Sequence, residues 1–537
     1  MKLHEAFAQT LQGMGVDTVF GLMGDANMLY LAAFKEAGGR FVGVAHEGSA
    51  VGAADAWSRA TGRVGLASVT HGPALTNTLT SLVEASRART PLVLMTGATP
   101  IDPTHFQRID IAAVAAAGEC GFERVHTPAS AARDLRRALR RAQAERRPIV
   151  LDLPIHMLRA DVEVTVTSAP FALPAPVAPR RSELEAAIEM VAAARRPLVL
   201  AGRGVIEAEG EDAVLALADA LGAPVATTLL GRGLFRGHED NIGICGNLSH
   251  AVAVNTIAEA DLVLAIGAGL GVYTTARGTL FAGKTLVQVD ADSAALGWYL
   301  EPHLGLSGDA RLTAEAMSEL LAEMEHRPTS GWRDGVRRAL AEHDPRTDVR
   351  EHRSSGCVDP RLVSAALHDL LPVQRNVVSD IGRFTLSAWP WLHVPDGRAF
   401  TTMGAFGAIG LGAAGALGTS VARGGDEVSV LTIGDGGLAM SLAELPTLAR
   451  EGGPVVVVLY NDGAYGAEHV KLVHFGVDPQ HSMTSWPDFV PLARAAGGDG
   501  AVIASLDDLE AVAERLRNPQ GLFLLDVRVD PEFNVGL

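Results

Sequence analysis

The chain has 537 residues, of which 48% are hydrophobic and 20% charged, with 58 glycines. That length exceeds one ordinary core and predicts several domains of about 100–200 residues each, while the composition is that of a globular protein rather than a disordered one. A formal charge of −17 excludes the broad basic face that phosphate neutralisation demands, so no nucleic-acid partner is expected.

The first segment, MKLHEAFAQTLQGMG, has helical spacing with Glu5 and Gln9 inside it, unlike the uninterrupted apolar core of a signal peptide. No apolar stretch reaches the roughly 18–20 residues of a membrane span. Cys120, Cys245 and Cys357 follow no CxxC spacing and leave one thiol over in any disulfide scheme. A soluble protein of the reducing cytoplasm, with no membrane contact, is therefore expected.

The next segment, RFVGVAHEGSAVGAADAWSRATGRVGLASVTHGPALTN (40–77), reads strand, turn, helix, strand, turn, with Glu47 at the first turn. Further strand-like runs occur at RPLVLAG (196–202), ADLVLAIG (260–267), VSVLTIG (428–434) and PVVVVLY (454–460), between Ala/Leu-rich helical stretches. Two segments break this alternation. In SAPFALPAPVAPR (168–180), four prolines favour an extended linker, and EHDPRTDVREHRSSGCVDP (342–360) is polar without apolar periodicity. They predict domains at 1–167, 181–342 and 358–537. Near-continuous apolar runs such as Val455–Leu459 require burial on both faces. The fold class expected is α/β, with three doubly wound parallel-sheet domains whose chemistry lies at strand-to-helix turns. Gly202-Arg203-Gly204 is the one partial echo of a dinucleotide fingerprint and reads as a turn.

After the run 428–433 comes Gly434-Asp435-Gly436-Gly437, then a helical segment, a buried strand and Asn461-Asp462-Gly463. A Gly-Asp-Gly alone is an ordinary tight turn. Here 24 residues (437–460) separate Gly436 from Asn461, enough for one helix and one strand. Asp435 and Asn461 then belong at the carboxyl ends of adjacent parallel strands. Magnesium takes oxygen ligands and shares them with phosphates, and Asp435, Asn461 and the Gly463 carbonyl offer a carboxylate, an amide and a carbonyl. The helix that follows presents its positive end to a diphosphate. This pattern resembles the thiamine-diphosphate (ThDP) fingerprint of the superfamily containing acetolactate synthase, pyruvate decarboxylase and benzoylformate decarboxylase. Many members carry a second Asn where this chain has Tyr460, which removes no expected ligand. The resemblance implies ThDP and magnesium as cofactors, with Gly434, Asp435, Gly436, Gly437, Asn461, Gly463, Ala464 and Tyr465 around the diphosphate.

The stretch 40–77 resembles the pyrimidine-binding domain of the same superfamily, with Glu47 at its cofactor-activating glutamate and Thr61-Gly62-Arg63, Gly72-Pro73 and Asn77 matching as well. By itself Glu47 would be a helix-start carboxylate favoured by the helix dipole. The resemblance implies that it hydrogen-bonds the aminopyrimidine ring, because the thiazolium carbon is too weak an acid for a side chain of near-neutral pKa to deprotonate directly. Family members bend the cofactor over a bulky apolar residue. In MGAFGAIGLGAAGALG (403–418), Phe406 is the candidate, close to Gly404, with a core phenylalanine as the rival reading. Glu47 and Asp435 lie in different blocks, so the site is expected at a domain interface. In the family that interface joins two subunits, which implies a homodimer or homotetramer.

Acetolactate synthase is the nearest overall resemblance, carried by HEGSAVGAADAWSRATGR, by Phe106-Gln107 and by TTLLGRGLF (227–235), with Gln107 at its pocket glutamine. Ala116 and Cys120 stand where those enzymes usually carry Arg and Lys. Leu270-Gly271-Val272-Tyr273-Thr274 replaces their flavin-contacting Arg-Phe-Asp-Asp-Arg, which weakens the expectation of FAD. His71 occupies a turn position usually held by a small residue and is a candidate acid/base group toward a carbonyl oxygen, against a solvated or capping role. The run Asn461–Ala467 also resembles benzoylformate decarboxylase. His105 and His469 are candidate substrate-facing residues. Asn27 falls near a pocket position where benzaldehyde lyase has a His, and it can equally cap the next helix. The activity implied is that of a 2-oxo acid decarboxylase/carboligase of acetolactate-synthase type, acting on a small 2-oxo acid. A simple 2-oxo acid decarboxylase or an acyloin/2-hydroxyacyl lyase is the alternative, and a non-catalytic ThDP-binding protein is the reading from another class.

Overall fold

The β-branched runs become strands where the pattern places them: Gly65–Ser68, Pro197–Ala201, Leu262–Ile266, Val428–Gly434 and Val455–Asn461. The computed structural model describes residues 1–98, 104–163, 175–328, 331–425 and 427–534. Residues 168–174 of the expected proline linker lie outside the described residues, and 175–180 form neither helix nor strand.

The described residues build three six-stranded sheets whose paired strands run parallel. The first runs, in spatial order, Arg40–Gly43, Thr18–Gly21, Gly65–Ser68, Leu92–Thr96, Pro148–Asp152 and Gly121–Arg124. The third runs Phe400–Thr402, Arg375–Ser379, Val428–Gly434, Val455–Asn461, Leu522–Arg528 and Asp499–Ile503. In chain order both read second, first, third, fourth, sixth, fifth. The middle sheet runs Asn241–Ile244, Val225–Thr227, Pro197–Ala201, Leu262–Ile266, Thr285–Asp290 and Leu304–Ser307. Its order, third-second-first-fourth-fifth-sixth, is that of dinucleotide-binding sheets.

Two compact units result, one of residues 1–174, 353–387 and 401–537, the other of 175–352 and 388–400. In the first unit, helix Glu47–Thr61 packs on helix Gly412–Arg423 through small residues. A Cβ at Gly418 would lie 2.0 Å from the Ala53 carbonyl oxygen, so only glycine permits that approach. Val51, Leu94, Leu417, Leu431 and Val457 join one buried cluster there, each contributing about 1.5–3 kcal/mol on burial.

The second unit holds the segment 388–400 through arginines of the strand Arg232–Phe235 and the turn after it. Arg232 donates to the Leu392 carbonyl and lies over the Phe400 ring, and Arg236 donates to the Val394 carbonyl. Its Gly202-Arg203-Gly204 turn caps a short helix, Arg203–Glu207, and packs directly on the Gly267 backbone. Among the described residues no helix is long and apolar enough to cross a membrane.

Candidate active site

Strands Val428–Gly434 and Val455–Asn461 are neighbours in register, Gly434 opposite Tyr460, so Asp435 and Asn461 emerge side by side at their carboxyl ends. Asp435 is buried. Its Oδ1 accepts the Gly436 N–H at 2.7 Å and its Oδ2 the Gly463 N–H at 2.9 Å. Asn461 donates through Nδ2 to Asp526 Oδ1 at 2.9 Å, and its Oδ1 accepts the Gly463 N–H at 3.3 Å. Because Asp526 also receives Arg528 Nη2 at 2.8 Å, it acts as an acceptor and turns the Asn461 amide oxygen toward Asp435. Gly463 takes φ +63°, and its carbonyl accepts the Thr484 N–H at 2.8 Å, which leaves that oxygen a second lone pair. The three oxygens expected to hold a metal thus come from one turn system. Among the described residues, no lysine or arginine pairs with Asp435.

Burial, and then the neighbouring Asp462 carboxylate, push Asp435 up to about 7. Asp462 is also raised by burial, but Arg383 Nη2 reaches it at 2.6 Å. The same guanidinium donates to the carbonyls of Pro531 and Phe533, tying the C-terminal segment to the turn that carries Asp462. A second acid, Asp380, follows the strand Arg375–Ser379. It is fully buried, which raises it to about 7, and it accepts the N–H groups of Ile381 and Gly410 at 2.8 Å each. A Cβ at Gly437 would lie 2.5 Å from its Oδ2, so the second glycine after Asp435 makes room for Asp380. Gly434 faces the Phe384 ring, and Gly404 packs against Ile381. Ala464 donates to Asp462 Oδ1, and the half-exposed Tyr465 brings its ring to about 4.0 Å of where a Gly436 Cβ would stand.

Glu47 opens its helix behind His46, whose Nδ1 accepts the Gly48 N–H at 3.0 Å. Asn77 Nδ2 donates to Glu47 Oε2 at 3.0 Å, so these two expected residues do meet. His71, Gln107 and His105 also converge. His71 Nε2 donates to Gln107 Oε1 at 2.8 Å, His105 Nδ1 accepts the Gln107 N–H at 3.3 Å, and the two imidazoles lie edge to face at 5.8 Å. His71 is buried, and among the described residues its Nδ1 has no partner. Phe106 beside this cluster is 89% exposed.

The side-chain positions bear on three further expectations. Phe406, 41% exposed, lies under the Arg87 guanidinium at 4.7 Å, whereas Ile409 carries its Cδ1 to 3.8 Å of where a Gly436 Cβ would stand. Ile409, with the rings of Trp486 and Tyr465 at 4.0 Å from the same point, therefore stands beside Gly436. Asn27 is fully buried, with Oδ1 accepting the Gly24 N–H and Nδ2 donating to the Leu22 carbonyl and Ser68 Oγ. It stabilises a loop and has no amide hydrogen left for a substrate. His469 is 1% exposed and spans Ser482 Oγ and Glu532 Oε1, each at 2.9 Å, so both ring nitrogens are engaged by the protein.

Sequence reasoning missed Asp380, Asp526, Arg383 and Ile409. Asp380 ends an apolar run, NVVSD, the signature of a strand terminus facing a site. The others carry no local signal, because their roles depend on partners far along the chain.

Comparison with known proteins identifies the domains that carry these residues. Residues 1–114 match the model of the thiamine pyrophosphate enzyme N-terminal TPP binding domain, 184–317 its central domain, and 380–527 its C-terminal TPP binding domain. The chain is 29% identical to the acetolactate synthase large subunit of Parasynechococcus marenigrum (98% of this chain, 87% of the relative). It is 29% identical to the sulfoacetaldehyde acetyltransferase of Rhodobacter capsulatus (96% and 92%). Acetolactate synthase isozyme 3 large subunit of Escherichia coli also shows 29% identity (98% and 94%).

Proposed function

The chain belongs to the thiamine pyrophosphate enzyme family, and on that premise we propose that it is a ThDP- and magnesium-dependent carboligase or decarboxylase of a 2-oxo acid, acetolactate-synthase-like. The observation that carries this reading is the convergence of the Asp435 carboxylate, Asn461 Oδ1 and the Gly463 carbonyl at the ends of two neighbouring strands, with Asp435 buried and paired to no lysine or arginine of the described residues. A divalent ion shared with a diphosphate suits that set.

Bound ThDP would supply the electron sink for a carbanion next to a carbonyl. Asp435, Asn461 and Gly463 would hold the magnesium, with Asp526 orienting the amide. Ile409 and Tyr465 flank Gly436 and would supply an apolar wall beside the cofactor, the part first expected of Phe406. Glu47, steadied by Asn77, would present its carboxyl group to the pyrimidine ring. His71 exchanges a proton with a substrate oxygen at Nδ1, while Gln107 fixes the tautomer by accepting from Nε2. The reading is flavin-independent, supported by the run Leu270–Thr274, which has no arginine and exposes Val272 and Tyr273.

A homodimer or homotetramer fits the apolar side chains left at the surface near these elements, Phe106 at 89% and Met440 at 68% exposure, which a second copy would cover. The compartment we favour is the reducing cytoplasm, in keeping with three free thiols. A 2-hydroxyacyl lyase is the second reading, favoured by His71 Nδ1, which has no partner among the described residues and suits a substrate hydroxyl.

The test is a carbon dioxide and product assay on the ThDP/magnesium holoenzyme with pyruvate, benzoylformate and branched 2-oxo acids, alongside Glu47→Gln. Acetolactate from pyruvate, lost in the variant, supports the ligase. Aldehyde alone makes the enzyme a decarboxylase, and silence across the panel with tight ThDP binding moves the assignment to the lyase.

A further inference from the structure

The first and third sheets share one strand order, and the segments after their third strands share a Ser-Leu-x-Glu sequence, Ser81-Leu82-Val83-Glu84 and Ser441-Leu442-Ala443-Glu444. Both glutamates are buried, at 0% and 1% exposure. Each reaches into the other half. Glu444 accepts the Ala45 N–H at 3.0 and 3.2 Å and the His46 N–H at 3.0 Å. Glu84 accepts the Ala405 N–H at 3.0 Å and the Phe406 N–H at 2.7 Å. The turn held by Glu444 leads directly into Glu47, and the loop held by Glu84 leads to Ile409.

The two clamps differ in charge compensation. Glu84 lies 3.2 Å from Arg59 Nη2, and that guanidinium also holds Asp55 and the Thr402 carbonyl. Glu444 has no ion-pair partner among the described residues, so its partners are the backbone amides of the Ala45-His46 turn at the positive end of helix Glu47–Thr61. A buried acceptor that loses its donors bears the full cost of desolvation, which ties the position of this carboxylate to the position of that turn.

We propose that Glu444 is a positioning residue for Glu47. It follows helix Asp435–Met440 by a single 3₁₀ turn, Leu442–Glu444, and so couples the half that carries the metal oxygens to the half that carries the activating carboxylate. The inference rests on the reading of Glu47 as that activating group.

The test combines hydrogen–deuterium exchange and steady-state kinetics on the ThDP/magnesium holoenzyme of Glu444→Gln and Glu444→Asp. The Gln variant turns an amide NH₂ toward amide donors, and the Asp variant keeps the charge but withdraws both oxygens by about 1.5 Å. Exchange in the peptide 44–50 should rise about tenfold while the peptide 403–411 stays as in the parent. The kcat should fall about 100-fold in Glu444→Gln, with KM changed less than about threefold, and recover in part in Glu444→Asp. Unchanged exchange at 44–50, a kcat within about twofold of the parent, or exchange raised along the whole chain would each overturn the proposal. If Glu444→Gln does not fold, the Asp variant carries the same measurements. Full turnover in Glu47→Gln would sink the reading of Glu47 itself, while the exchange data still report whether Glu444 holds the turn.

Discussion

Asp435 and Gly463, 28 residues apart in the chain, meet at 2.9 Å, the Gly463 N–H donating to Asp435 Oδ2. The Asp435 turn is thereby closed by protein alone, and its carboxylate is kept inside, where ionisation is costly.

Magnesium affinity should therefore depend on pH. The folded-state value for Asp435 is about 7 against an ordinary 3.8, and the cation binds only the ionised form. Apparent affinity should rise about tenfold per pH unit up to neutrality and level off above it, with a proton released on binding. The native state binds more protons than the unfolded chain between those two values, so the metal-free protein loses stability as pH rises through that window. Magnesium with ThDP should restore it. Calorimetric titration at several pH values checks both, and a flat profile would refute the assignment. In Asp435→Asn the pH dependence should vanish along with most of the metal affinity.

Ile409→Ala should lower kcat about 100-fold, because the cofactor would lose the apolar contact that shapes it beside Gly436. Phe406→Leu removes only a ring under Arg87, a contact of about 0.5–1 kcal/mol. Parallel kinetics on the two variants decide between them, and a reversed ranking would return the role to Phe406.

His71→Ala should cut kcat/KM about 10²–10⁴-fold, the range for loss of an acid/base group, while ThDP affinity measured by titration stays near that of the parent. Gln107→Leu leaves the buried Nε2 donor unpaired at a cost of about 1–3 kcal/mol, so a loss of roughly tenfold is expected. Undiminished turnover in both would remove the pair from the chemistry.

His469→Ala and Asn27→Ala should act on stability. Each breaks buried hydrogen bonds, for about 2–3 kcal/mol, and should lower the unfolding temperature without raising KM for the 2-oxo acid. A large KM effect at normal stability would put either residue back in the substrate pocket.

Which elements form, and where the chemistry-bearing turns lie, was determined by the sequence alone. Apolar periodicity acts over a few residues, so runs such as Val455–Leu459 could only be buried strands. The interval between Gly436 and Asn461, long enough for a helical crossover and one strand, left parallel neighbours as the natural arrangement, and helices Asp435–Met440 and Leu445–Glu451 make that crossover and bring Asp435 beside Asn461. Tertiary structure alone decided which side chains are spent on the protein and which are left for a ligand. Asn27 and His469 looked available, but both hydrogens of the Asn27 amide and both His469 ring nitrogens are engaged by the protein, and Ile409 stands beside Gly436. Asp526 and Glu444 act on Asn461 and Ala45 across 65 and 399 residues. Such pairings depend on how two sheets and the helices Glu47–Thr61 and Gly412–Arg423 pack, and no local pattern encodes the partner of a buried polar atom.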